Sequence, residues 1–373
     1  MSLPSADDPR LLPLAFSMMK GRSMALRRRL DECGVSVEAF FSLPASGLAA
    51  ALEARPSAIP DSFARQEAIE AARHELDFCD RHSIRVLFPE SPGYPLRLLE
   101  LSDAPTALFA LGSCDLNAPR TVAFVGTRTP TPYGLNFTRT AVEDLQGCDP
   151  VIVSGLAYGI DAAAHTAALA AGLPTVAVVA HGLDTLYPAS HRDLARRIVA
   201  AGGALLSEYP SGVKPFRGNF LERNRIVAAL SDACVVAESD VKGGAMSTAS
   251  VAFSIDREVM ALPGRTSDRF SAGCNRLIQK NKAWLVGGAS DIASILAWQP
   301  ADSAASAPRS LFPDLDEPCR SIYAMLESAS EPVSVDEIHA RLSIPVAALL
   351  AQLGEMEFDG LAVRFPGNRW KNA

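Results

Sequence analysis

The sequence predicts an α/β protein: a doubly wound, mostly parallel sheet, with a helical N-terminal domain before it and a winged-helix domain after it. Three observations lead there. Short apolar runs alternate with alanine-rich amphipathic stretches between Ile84 and Trp298. Those runs are apolar on both faces, as strands covered by helices on each side must be. The two flanks lack this alternation and carry helical spacing instead.

Residues 1–80 come first, with the patterns RLLPLAFSMM, MALRRRLDECG and FARQEAIEAARHELDFC, broken by Pro44, Pro56 and Pro60. Apolar residues recur there at three- and four-residue intervals. The expectation is a small bundle of the SAM or helix-hairpin kind. Residues 81–298 hold the runs IRVLF, ALFAL, TVAFV, VIVSG, PTVAVVA, ALLSE, ACVVAE, EVMALP and AWLVG, each read as a strand. Helical stretches such as GIDAAAHTAALAAG and HRDLARRIVAAG separate most of them. Residues 299–310, QPADSAASAPRS, read as a linker, being rich in Ala, Ser and Pro. Residues 311–373 follow with CRSIYAMLES, SVDEIHARL and VAALLAQLGEMEFDG as helices and LAVRFPGNRWKN as a hairpin. That order is the order of a winged helix.

A chain of 373 residues exceeds one ordinary core, so several domains are expected. Its 48% hydrophobic and 21% charged content excludes a disordered chain. A net charge of -7 excludes a globally basic protein but leaves room for a local cationic patch. The seven cysteines never stand as C-x-x-C, so no zinc site is expected, and their odd number points to reduced thiols. The N-terminus carries acids where a signal peptide has cations, and no run approaches the length of a membrane span. A cytoplasmic protein is expected.

In a doubly wound sheet, ligands sit at the carboxyl ends of strands, beside helix N-termini. Six loops lie there. In GTRTPTPYG, Gly126 lets backbone approach, Thr127 offers a hydroxyl and Arg128 can fork onto a phosphate. A lone arginine would more often pair with a carboxylate. In SGLAYGID, Ser154 and Gly155 end a strand and Asp161 stands where it can cap a helix. The bland reading is a tight turn. HGLDTLYPASHRDL brings His181 and His191, and His165 lies on a helix nearby, all read as packing or capping residues. KPFRGNFLERNRIVAALSD places Lys214, Arg217, Arg223 and Arg225 against one acid, Glu222, with Phe216 and Phe220 interleaved. Cations with aromatics suit an unpaired polynucleotide, supplying charge for its backbone and flat faces for its bases. ESDVKGGAMSTA opens a helix with Gly243 and Gly244, and PGRTSDRFSAGCNRLIQKNKA adds further cations. Acids at strand ends, Glu208 and Glu238, are read as partners for arginines. No G-x-G-x-x-G, P-loop or nucleophile elbow occurs, so neither a cofactor nor catalysis is expected.

Taken in order, VGTR, VSGLAYGIDAAAH, GLDTLYP, LLSEYP, FLERNRIVAALSD, KGGAMSTA and PGR…SAGCNRLI closely resemble the DNA-processing protein A (DprA/Smf) family. The resemblance implies an extended Rossmann-like core that binds single-stranded DNA and dimerises. It further implies a protein that protects incoming DNA and loads a RecA-type recombinase during natural transformation. On the motif positions it implies that Arg128 contacts a phosphate, and that Lys214, Phe220, Arg223, Asn224, Arg225, Lys242, Gly243 and Gly244 form a pocket. Two positions depart from the family pattern: Tyr158 where an arginine is usual, and Ala189 where a lysine is frequent. Either one edge of the basic surface is weaker, or Arg192 and Lys242 replace it. A competing class is a nucleotide-processing hydrolase of the phosphoribohydrolase-like Rossmann group, whose glycine loop is loosely similar. Such enzymes need a glutamate just after that loop, where this chain has Ala249, Ser250 and Val251. The C-terminal unit is acidic, with Asp336, Glu337, Glu355, Glu357 and Asp359, so it is expected to serve protein contact or regulation rather than DNA reading.

Overall fold

A computed structural model describes residues 8–19, 24–54, 59, 62–299, 317–329, 332–358, 361–365 and 368–372. They fall into two compact units, Met1–Asp302 and Ser303–Ala373. The expected breaks at Pro56 and Pro60, and the linker apart from Gln299, lie outside the described residues.

Each of the nine apolar runs forms a strand of one sheet: β1 (Ile84–Leu87), β2 (Leu108–Gly112), β3 (Thr121–Val125), β4 (Val151–Ser154), β5 (Thr175–Val178), β6 (Ala204–Ser207), β7 (Ala233–Val236), β8 (Glu258–Ala261) and β9 (Trp284–Leu285). Their order is β1-β2-β6-β5-β4-β3-β7-β8-β9. β2 pairs antiparallel with both β1 and β6, and the other neighbours are parallel.

Side chains of the central strands alternate between two cores, which is why these runs are apolar throughout. Val122, Phe124 and Ile152 pack under α6 (Pro132–Asp144), α7 (Ile160–Ala170) and α12 (Ala289–Ile295), through Phe137, Ile160 and Ile292 among others. Ala123, Val125 and Val153 face the opposite layer of α9 (Arg217–Ala229), α10 (Gly244–Ser254) and α11 (Ala272–Gln279), through Ile226, Ala249 and Leu277. Near the β5–β6 side, α8 (Arg192–Ala200) buries Ala195 and Ile198.

From β3 the chain adds β4, β5 and β6 on one side, then returns to add β7, β8 and β9 on the other. The switch point lies between β3 and β7, where diverging crossovers open a crevice at the strand ends.

The N-terminal helices are α1 (Leu11–Met18), α2 (Met24–Glu32), α3 (Val37–Ser42), α4 (Ala45–Ala51) and α5 (Ser62–Arg81). Pro44 stands at the N-cap of α4, in agreement with a break there. Leu14, Phe16, Phe40, Leu48 and Leu76 share one core with Ile84, Val86 and Phe109 of β1 and β2. A polar tie joins these helices to the sheet: the buried Glu75 carboxylate accepts bonds from the Ser211 N–H (2.9 Å) and hydroxyl (2.5 Å).

The second unit is a winged helix. It contains α13 (Glu317–Ser328), β10 (Val333–Ser334), α14 (Val335–Leu342), α15 (Val346–Phe358), β11 (Ala362–Phe365) and β12 (Arg369–Asn372). Its strands pair antiparallel in the order β10-β12-β11. Ile322, Leu326, Ile338, Leu349, Leu353 and Trp370 form its core. Ser334 and Glu337 form a reciprocal capping box at the start of α14, which fixes where that helix begins.

Candidate nucleic-acid interface

A cavity of about 750 Å³ opens at the switch point, walled by the ends of β3, β4 and β7 and by α9 and α10. The β3 end supplies Gly126, Thr127 and Arg128. The Thr127 N–H donates to Glu238 O (2.7 Å), and Ile160 N–H donates to Thr127 O (3.3 Å), so this turn is held from both sides. A Cβ on Gly126 would overlap the Ile160 side chain, which explains glycine there. Glu238 itself is buried and does not pair with an arginine. It accepts from the Thr131 N–H (2.8 Å) and hydroxyl (2.5 Å), anchoring the start of α6.

Arg128 is exposed, and among the described residues no carboxylate forms an ion pair with it. Its guanidinium carbon lies 5.6 Å from the centre of the Phe220 ring. Phe220 in turn meets Tyr187 edge-to-face, with ring centres 5.7 Å apart. A cation and two aromatics thus stand together at the mouth. Across the cavity lie Lys242, Gly243 and Gly244. The N-terminus of α10 lines the cavity and has no side-chain cap, so its first backbone N–H groups are suited to donate to an anion.

Arg223 has a different station. It is 4% exposed and forms part of the cavity floor. Its Nη1 donates to Val178 O, while its Nε has no protein partner. A Cβ on Gly155 would overlap this guanidinium, so the glycine is needed for the close approach. Asp161, also buried, accepts from the N–H groups of Gly155 (3.2 Å) and Ala157 (3.3 Å). Burial pushes the Asp161 carboxyl up and the Arg223 guanidinium down, and each charge draws the other back.

Of the residues singled out from the sequence, the structure brings Gly126, Thr127, Arg128, Gly155, Phe220, Arg223, Asn224, Lys242, Gly243 and Gly244 to one cavity. Three are placed elsewhere. Ser154 is wholly buried and its hydroxyl donates to Phe124 O (2.7 Å), stitching β4 to β3. Arg225 donates to Glu208 (2.7 Å) and Asp103 (2.8 Å), as expected for Glu208. Burial alone would lower the Arg225 pKa, but these two carboxylates outweigh it and raise it. Lys214 is exposed but stands beside the cavity rather than in its wall, where its neighbour Pro215 is found.

Tyr187, Arg217, Leu221, Asp240, Thr248 and Phe270 complete much of the wall. Arg217, Phe220, Leu221 and Asn224 follow the i, i+3, i+4, i+7 spacing of one helix face, which a helix beginning at Arg217 would have revealed. Tyr187 and Phe270 lie on loops, where no period announces them. Asp240 is neutralised by Arg269 (2.7 Å). Among the described residues, Arg128, Arg217 and Lys242 therefore remain as unpaired cations on the rim.

The histidines have packing roles. His165 bonds the Thr175 hydroxyl (2.7 Å), and burial lowers its pKa to about 3. His181 bonds Gly182 O and the Tyr187 N–H, and His191 bonds Leu156 O. Among the described residues, no group of three His, Cys, Asp or Glu side chains is arranged to hold a metal. Nor, among them, is any helix long and apolar enough to cross a membrane.

Comparison with known proteins identifies the family. Residues 85–297 match the family model of DNA recombination-mediator protein A, and residues 303–368 match the DprA winged helix domain. The chain is 38% identical to a putative DNA processing protein DprA of Mycobacterium tuberculosis, over 83% of this chain and 82% of that one. It is 36% identical to protein Smf of Escherichia coli, over 82% and 81% respectively. Among solved structures, DprA of Streptococcus pneumoniae superposes with a TM-score of 0.63 at 30% identity, covering 76% of this chain and 95% of that one. DNA processing protein A of Helicobacter pylori, a protein described for its single-stranded DNA binding mode, gives a TM-score of 0.52 at 32% identity, covering 57% and 95%. A sheet of this order, a winged helix later in the chain and these matches across both units together make the chain a member of the DNA recombination-mediator protein A (DprA/Smf) family.

Proposed function

We propose that the switch-point cavity grips the backbone of single-stranded DNA, and that the protein is a non-catalytic recombination mediator. The observation that carries this reading is Arg128, exposed, without a carboxylate partner and laid against Phe220 at the cavity mouth. A strand-end arginine in that setting offers a forked charge to one phosphate, and phosphate contacts fix position without reading sequence. Arg217 and Lys242 add charge, the uncapped start of α10 adds backbone donors, and Phe220 and Tyr187 add faces for unstacked bases.

The wider role follows from family membership and from the absence of an enzymatic signature in the sequence. The protein protects incoming single strands, hands them to a RecA-type recombinase during natural transformation, and acts as a cytoplasmic homodimer. The test is a titration of oligo-dT against duplex DNA at several salt concentrations. Three rim cations, at about 0.7 per phosphate for a single strand, give a slope of log affinity on log salt near −2. Preference for duplex, a flat salt response, or steady release of base from nucleoside monophosphates would each overturn the reading.

A further inference from the structure

Beside the cavity stands an aromatic side chain that the site described above does not use. Tyr158 follows Ala157, a cavity-lining residue, in the turn between β4 and α7. The residue remains 46% exposed. Large exposed aromatics usually retain rotamer freedom, but this one is fixed at two points. Its hydroxyl bonds the Ser190 hydroxyl (2.9 Å), and its ring meets His191 edge-to-face with centres 4.9 Å apart. His191 is itself fixed by a bond to Leu156 O (2.9 Å). The loop that holds Ser190 and His191 also carries Tyr187, which lines the cavity and is 44% exposed.

From these contacts we infer that Tyr158 is a second base-stacking platform, taking a nucleobase of the strand whose phosphates lie in the cavity. The inference rests on the single-strand reading above and extends it outward from the mouth. The 187–191 loop links the two places: it carries Tyr187, which meets Phe220, and it holds Tyr158 through Ser190 and His191. A ring already immobilised gives up little entropy when a base stacks on it. Stacking is also indifferent to base identity, as a sequence-tolerant binder requires. The ring adds no charge, so this subsite strengthens binding without steepening its dependence on salt.

The test uses the full chain and two probes of equal length, oligo-dT and an abasic deoxyribose-phosphate oligomer. Tyr158→Ala weakens oligo-dT binding about fivefold or more, and changes binding of the abasic probe by less than about twofold. Tyr158→Phe retains affinity for oligo-dT, because the ring remains. Tyr158→Arg restores affinity but steepens the salt slope by about 0.7, charge having replaced stacking. Arg128→Ala is the control and weakens both probes. If Tyr158→Ala affects both probes equally, or neither, while Arg128→Ala weakens both, the platform is refuted and the cavity stands. If Arg128→Ala leaves both probes unchanged, the cavity reading fails and the platform fails with it.

Discussion

Replacing Arg128 by alanine separates binding from folding more cleanly than any other change at the cavity. Within the protein, Arg128 has no carboxylate partner among the described residues, and its recorded contact is with the Phe220 ring at 5.6 Å. Such a contact at an exposed site contributes about 0.5–1 kcal/mol, so denaturant midpoints shift little. Toward a phosphate the same group makes a charge-assisted bond worth about 1.5–3 kcal/mol, or about 10- to 150-fold in affinity. The exposed mouth favours the lower half of that range. One phosphate contact also carries about 0.7 of salt slope. Raising salt from about 50 to 200 mM therefore shrinks the wild-type advantage about 2.6-fold. Fluorescence anisotropy of labelled oligo-dT at several salt concentrations, beside urea melts of both proteins, measures all three quantities. An affinity loss with an unchanged slope would mean that Arg128 shapes the mouth without touching a phosphate. An unchanged affinity would place the DNA elsewhere.

Other substitutions distinguish support from contact. Arg225→Ala leaves Glu208 without its ion-pair partner in a site whose burial already pushes that carboxyl up, so it costs about 3 kcal/mol in denaturant unfolding while the salt slope for oligo-dT holds. Glu75→Ala removes both bonds to Ser211 and loosens the loop leading to Pro215; it costs about 1–3 kcal/mol and weakens DNA binding less than Arg128→Ala does. His165, with its pKa lowered to about 3 by burial, binds a proton more readily when unfolded than when folded. The stability it contributes is therefore complete above about pH 6.5 and lost as pH falls toward 3. His165→Gln should flatten that part of the stability profile, and melts at pH steps between these limits would show it.

The strands could be read in advance because their physics is local. A strand covered on both faces has no polar positions to obscure it, and each of the nine runs paired into one sheet. The edge strand β9 is the exception in kind: Trp284 and Leu285 are mostly exposed, so its apolar sequence does not signify burial. Glycine turns at strand ends were equally readable, since the doubly wound topology assigns them to the crevice before any coordinate is known. What the sequence could not reveal is which cations remain available. Arg223 and Arg225 differ by one turn-fraction of α9, yet one forms the cavity floor and the other is bound to Glu208 and Asp103. Asp103 lies far away in the chain, and no local pattern announces that partnership. Tyr187 and Phe270 were missed for a related reason, because loops have no period that assigns a side chain to a face.

That division among the arginines bears on how a chain of net charge -7 can hold a polyanion. Counting cations in KPFRGNFLERNR overstates the field a phosphate meets, since Arg225 is paired with Glu208 and Asp103, and Arg223 is buried in the floor. Arg223 is buried and donates to Val178 O rather than reaching the mouth. It fixes the floor at Gly155, and so fixes how deep a backbone can sit below Arg128. The attraction then comes from Arg128, Arg217 and Lys242, on the loop after β3, at the start of α9 and in the turn before α10, which the switch point brings together. With three unpaired cations lining the rim among the described residues, electrostatics by itself gives weak and salt-sensitive binding. Useful affinity at physiological salt must draw on contacts that salt does not screen. Phe220 and Tyr187 at the mouth can supply them, because stacking and burial of a base need no counterion release. The net charge of -7 then disfavours non-specific association with polyanions.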